Sequence, residues 1–261
     1  MPTTTLSWVP GKAGRLRVEE AGVGRTPVLL VHGNGGDRTH WSATLPHLAS
    51  ARRTVSFDLR GMGESDAPAD GSFALEALVA DVQAVADALG LERFVLIGHS
   101  FGGTVVAGAC RDIPERLAGA LFLDASGDLR AVPEEALQAW RVSMEPDTFA
   151  STVQNWFTQL LTPATAETRT KVLATLAQTS REAYLGAMNE LFRVDPASAI
   201  ARFHGPKALL SVRTLDGPMS LRLTVPELPC EFMDGVSHWL QLDRPEAVNE
   251  ALDRFLASVP G

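Results

Sequence analysis

Phe94-Val95-Leu96-Ile97-Gly98-His99-Ser100-Phe101-Gly102-Gly103-Thr104-Val105-Val106-Ala107 is the stretch that decides how this 261-residue chain is read. Its first four residues are continuously apolar, as in a strand covered on both faces. The residues after Gly103 suit a buried helix. Between them stands Gly98-x-Ser100-x-Gly102. A turn that converts a strand into a helix so abruptly forces its apex into an unfavourable backbone conformation and presses the flanking backbones together. Glycines at the flanks remove the Cβ atoms that would collide. Ser100 is then exposed above the sheet edge, beside helical N–H groups that have no partner in the first turn. In a chain with 22 glycines the pattern alone is weak. Set between a strand and a helix, it is specific.

Outward from this turn, strands and helices alternate. Arg15–Glu19 alternates polar with apolar residues and predicts a half-exposed outer strand, whereas Val28–Val31 is continuously apolar. Thr54–Asp58, Ala118–Asp124, Lys207–Val212 and Cys230–Met233 are further strand candidates. Helices are expected over about 42–49, 74–89 and 245–257, the second carrying Leu75, Leu78, Val82, Val85 and Leu89 on one face and stopped by Gly90. The alternation predicts an α/β fold with a mostly parallel central sheet flanked by helices. It breaks between Gly127 and Phe203, where four helices begun near Pro133, Pro146, Pro163 and Ser180 are expected and no strand pattern occurs. We read residues 1–127 and 203–261 as the core and 128–202 as a helical cap over the carboxyl ends of the strands; helices packed on a sheet flank are the alternative.

Composition narrows the function. A net charge of −8 with no basic cluster argues against nucleic acid as a partner. Cys110 and Cys230 are the only cysteines, a count that fits a reducing compartment. Met1-Pro2-Thr3-Thr4-Thr5 lacks a basic region followed by an apolar stretch, and no apolar run approaches the length of a membrane span, so a cytoplasmic protein is expected.

A serine hydroxyl is a poor nucleophile unless a base removes its proton and an acid orients that base. Of six histidines, His238 stands on the loop between the last strand and the terminal helix, at the sheet edge that also carries Ser100. Two aspartates end nearby strands. Asp216 follows the strand ending at Val212 and is the first choice for the acid; Asp124 ends the strand before the helical insertion and is the alternative. The oxyanion of an attacked carbonyl needs fixed donors. Phe101 N–H at the helix start is one, and Asn34 in His32-Gly33-Asn34-Gly35-Gly36 supplies the other. The glycines of that loop lack the Gly-Lys-[Ser/Thr] ending or the Gly-x-Gly-x-x-Gly context of a nucleotide site. No clustered His/Cys spacing suggests a metal, and the chemistry calls for neither a metal nor an organic cofactor.

Together these residues resemble the α/β-hydrolase superfamily in its branch with a helical cap. Four blocks carry the likeness: Val31–Gly36, Phe57-Asp58-Leu59-Arg60-Gly61-Met62-Gly63-Glu64-Ser65, Gly98–Gly103, and Ser237-His238-Trp239 through Asp243–Glu246. The resemblance implies Ser100 as nucleophile, His238 as general base, Asp216 as acid, Asn34 and Phe101 as the oxyanion hole, and Asp58 and Arg60 as braces outside the chemistry. The chain departs from the family pattern at Arg213 and Ser237, where glycine is usual, and in the short Asp216–His238 stretch; the first and last of these keep Asp124 open. Serine at the nucleophile position excludes the alkyl-ester chemistry of relatives with an aspartate there. The expectation is a serine hydrolase cleaving a carboxylic ester, lactone or thioester of a small to medium apolar molecule. Alternatives are a carbon–carbon hydrolase of the ring-cleavage-product type, suggested by His238-Trp239-Leu240-Gln241, and a non-catalytic binding protein on the same fold. Trp41, Trp140, Trp156 and Trp239 could line the pocket, but each is more often a core or packing residue, and none is counted as a site residue.

Overall fold

The computed structural model describes residues 3–260; Met1 and Pro2, part of the N-terminal stretch read above for a leader, lie outside them, as does Gly261. One sheet contains β1 (Thr4–Pro10), β2 (Arg15–Ala21), β3 (Arg25–Val31), β4 (Arg52–Phe57), β5 (Phe94–His99), β6 (Leu117–Leu123), β7 (Lys207–Val212) and β8 (Cys230–Met233). Their spatial order is β1-β2-β4-β3-β5-β6-β7-β8. β2 pairs antiparallel with both β1 and β4, and every later pairing is parallel. The expected α/β fold with a mostly parallel sheet is therefore present, extended by the outer strand β1. That strand escaped the sequence reading because its residues are mostly exposed; Trp8 lies beneath the guanidinium of Arg15, 4.6 Å from its ring centre.

The parallel strands divide their side chains between two cores. Leu29, Val31 and Leu96 face α2 (Leu75–Ala88) and α3 (Phe101–Asp112), whereas Val28, Leu30, Val95 and Ile97 face the opposite side. There they meet the short α1 (Thr44–Leu48) and the C-terminal helix. Alternation with both faces covered is why these strands read as unbroken apolar runs.

Between β6 and β7 run α4 (Glu134–Ser143), α5 (Pro146–Leu160), α6 (Ala166–Gln178), α7 (Arg181–Leu191) and α8 (Pro196–Ile200). After β7 follow α9 (Leu221–Thr224), α10 (Leu240–Asp243) and α11 (Pro245–Ala257), the last contributing Val248, Leu252 and Leu256 to the second core. The excursion has an apolar cluster of its own, in which Met144, Val153, Phe157, Leu161, Val172 and Tyr184 pack with Trp239 from the loop after β8. Its last part behaves differently: Ala199, Ile200 and Phe203 join the core around α3. Glu190 of α7 accepts a hydrogen bond from the Leu75 N–H at 2.9 Å, supplying α2 with the N-terminal cap that its own sequence lacks. No helix among the described residues is long and apolar enough to cross a membrane.

Candidate active site

Ser100 occupies the junction of β5 and α3 with φ 53° and ψ −120°, a left-handed conformation that costs a non-glycine residue energy. Its N–H donates to the Leu123 carbonyl at 2.9 Å and its carbonyl accepts from Gly103 at 2.8 Å. A Cβ at Gly98 would overlap the Gly102 carbonyl, and one at Gly102 would overlap that of Val31. The two glycines are thus required by the close crossing of β3, β5 and α3, as expected from the turn. The Ser100 hydroxyl forms no hydrogen bond among the described residues and opens on a cavity of about 290 Å³ that His238 also lines.

His238 is held from several directions. Its N–H donates to the Leu160 carbonyl at the end of α5 (3.2 Å), and its carbonyl accepts from Nε2 of His99 (2.8 Å). The preceding Ser237, where glycine was the expectation, donates its N–H and hydroxyl to Asp243 at 2.8 and 2.6 Å and accepts from the Trp239 N–H. This serine-centred turn fixes the loop that presents the imidazole.

Nδ1 of His238 lies 2.6 Å from Oδ2 of Asp124. Asp124, φ 43°, caps β6, and its other oxygen accepts from the Ser211 hydroxyl at 3.1 Å and the Val212 N–H at 3.0 Å on β7. Asp216, the first choice for this position, lies elsewhere. Its carboxylate accepts from the Ser220 hydroxyl (2.8 Å) and from Nε and Nη2 of Arg222 (2.8 and 2.6 Å), a pairing that holds its pKa below the usual aspartate range. The physical reason for this difference in placement is local. The short β7–β8 connection folds back on itself and gives Asp216 a guanidinium partner within its own loop, while the neighbouring strand tip carries Asp124 straight to the imidazole. The shortened stretch before His238 was the signal in the sequence.

Asn34 and Phe101 both line the cavity, and neither backbone N–H has a backbone partner among the described residues: Phe101 opens α3, and Asn34 sits in the Gly33–Gly36 turn. The Asn34 side chain donates to the Tyr184 carbonyl of α7 at 3.1 Å. Behind this loop, His32 donates from Nδ1 to the Gly33 carbonyl (2.8 Å) and accepts the Leu59 N–H on Nε2 (3.0 Å). Burial pushes the His32 imidazole down, and that of His99 well down, so both are neutral braces. Asp58 accepts from the backbone and guanidinium of Arg38 at 2.7 Å, and Arg60 grips Asp81 at 2.6 and 2.8 Å; neither Asp58 nor Arg60 lines the cavity.

Phe157, Leu160, Tyr184, Met188 and Leu191 of the helical excursion form much of the remaining cavity wall. Of the four tryptophans considered, Trp156 and Trp239 line it; Trp41 is fully buried elsewhere and Trp140 packs on Phe192. No lysine, arginine or glutamate contributes to the lining. No group of three His, Cys, Asp or Glu side chains among the described residues is arranged to hold a metal ion, and both cysteines are free.

A family model described as alpha/beta hydrolase fold matches residues 26–208. Over 129 residues the chain is 30% identical to 2-hydroxymuconate semialdehyde hydrolase of Pseudomonas sp. (strain CF600), covering 48% of this chain and 45% of that one. Over 83 residues it is 43% identical to epoxide hydrolase 4 of Mus musculus, covering 31% and 23%. The chain therefore spans less than half the length of either curated relative. A thermophilic esterase structure from Thermogutta terrifontis superimposes with a TM-score of 0.83 at 25% identity, over 97% of this chain and 98% of that one. With a family match running from β3 through the Ser100 turn and the whole helical excursion, the chain belongs to the alpha/beta hydrolase family.

Proposed function

We propose that this chain is a serine hydrolase that cleaves an uncharged carboxylic ester, or a lactone or thioester of similar shape, beneath a cap formed by the helical excursion. The observation that carries it is the His238–Asp124 pair on the rim of the cavity that holds Ser100. Asp124 keeps the Nδ1–H tautomer in place, leaving Nε2 free to take the Ser100 proton. Ser100 Oγ then bonds to the ester carbonyl carbon, and the negative charge gathers on the carbonyl oxygen. Phe101 and Asn34 N–H groups receive that oxyanion, each such donor being worth about 3 kcal/mol of barrier. His238 returns its proton to the leaving alcohol, and an acyl group remains on Ser100. Water, deprotonated by the same imidazole, attacks the acyl carbon; the bond to Ser100 Oγ breaks, His238 returns the proton to that oxygen, and the acid is released.

The carbon–carbon hydrolase alternative draws support from the likeness to 2-hydroxymuconate semialdehyde hydrolase. Against it stands the lining. A ring-cleavage product bearing a carboxylate would bury its charge without a cationic side chain, at a cost of several kcal/mol. The same lining suits an apolar ester.

Two measurements test the proposal. A fluorophosphonate probe should label the wild type and not Ser100→Ala; failure to label either supports a non-catalytic binding protein. Nitrophenyl esters should turn over faster than a vinylogous diketone acid, and useful turnover of the diketone alone would establish carbon–carbon cleavage instead.

A further inference from the structure

The segment that carries Asp216 is one wall of the cavity. Leu215, Gly217, Pro218, Met219 and Ser220 line it, and Leu215 and Met219 are also 38% and 53% exposed to solvent. Trp156 of α5, 50% exposed, lines the same cavity. Three large apolar side chains thus line the cavity while remaining partly exposed to solvent.

Few contacts hold the segment in place. Asp216 clamps Ser220 and Arg222, closing the loop on itself. Gly127 N–H donates to the Met219 carbonyl at 2.8 Å, Ser126 bridges to Ser220, and Asp128 N–H donates to the Thr224 hydroxyl at 3.0 Å. A Cβ at Gly127 would overlap that hydroxyl, so the approach of the two strips depends on glycine. The carboxylate first expected to orient His238 thus organises the residues beside the substrate's path.

Resting on Ser100 as the nucleophile, we infer that the Leu215–Ser220 wall selects esters by the length of an apolar arm that leaves the chamber between Met219, Leu215 and Trp156, and that Asp216 is the positioning residue holding this wall. An alkyl arm emerging there covers side chains that otherwise face water, each methylene contributing roughly fourfold to kcat/KM. A short arm ends inside the chamber and never reaches the wall.

The test compares nitrophenyl acetate with nitrophenyl octanoate, and ethyl with octyl acetate, so that an arm on either side of the ester is read. Asp216→Asn and Arg222→Gln should each lower the long-to-short ratio of kcat/KM by about tenfold, mainly through the KM of the long ester. Met219→Ser, at a half-exposed position that threatens folding least, should do the same. Fluorophosphonate titration counts active sites, separating lost fold from lost selectivity. An unchanged ratio in both ester series, or an equal loss on long and short esters, overturns the inference. Absence of labelling and of acetate turnover in the wild type would instead overturn Ser100 as nucleophile.

Discussion

Asp124 and His238, 114 residues apart in the chain, meet at 2.6 Å between Oδ2 and Nδ1. Asp124→Asn keeps the shape but favours the wrong imidazole tautomer, and should lower kcat on nitrophenyl acetate by roughly four orders of magnitude. Asp216→Asn should cost far less on this short ester. Steady-state kinetics of the two variants decide which carboxylate orients the base; the larger loss at Asp216 would reverse the assignment.

Gly98→Ala and Gly102→Ala should each destabilise the fold, because the added methyl meets backbone carbonyls and not a flexible side chain. The loss expected is about 1–3 kcal/mol or more, the range for overpacking a tight site. Urea denaturation followed by circular dichroism measures it. A midpoint unchanged in both variants would mean that the strand–helix crossing is looser than described.

Asp81 is 1% exposed, and its burial raises its pKa even with Arg60 at 2.6 Å. Arg60→Met removes the partner and should cost about 3–5 kcal/mol, since an uncompensated carboxyl is left inside. Adding Asp81→Leu to Arg60→Met should recover much of that loss. Recovery in the double variant, read from denaturation midpoints, identifies the orphaned acid as the cause.

His40 is fully enclosed, with Nε2 against the Thr175 hydroxyl at 2.9 Å, and burial pushes its pKa down to about 3. The unfolded chain, with its imidazole near pKa 6.5, binds a proton over an interval in which the folded chain does not. Stability therefore falls as pH drops from the unfolded towards the folded value, by at most about 1.4 kcal/mol per pH unit from this group, and is unaffected by this group above the unfolded value. His40→Gln should flatten the dependence of the urea midpoint between pH 7 and 5. An identical slope would show that other groups carry it, among them His32 and His99, which burial also pushes down.

The fold was legible wherever burial imposes a simple period. Val28–Val31 and Phe94–Ile97 are apolar without interruption because both faces of those strands are covered. Pro133 and Ser180 cap α4 and α7, and Pro146 opens α5, so those helix starts were visible as local chemistry. β1 was not, since its pairing with β2 buries little. Nor does the sequence reveal that Ile200 and Phe203 turn away from the helical cluster to pack on α3, a matter of docking and not of period. The site divides the same way. Ser100 and His238 stand in distinctive local settings. The choice between Asp124 and Asp216 depends on where two neighbouring strands end and on Arg222 claiming one of the carboxylates.

His99 and Leu123 are cross-strand partners on β5 and β6, so Ser100 and Asp124 are the residues that follow a matched pair, and both adopt positive φ. Their spacing is set by the hydrogen-bonded ladder beneath them, whereas the connection after β7 meets the chain just beyond Asp124, at Ala125–Asp128. On the proposed mechanism, libraries randomised over residues 215 and 217–219, which leave the Asp216 clamp and Ser220 in place, should change selectivity while keeping the paired tips of β5 and β6 intact.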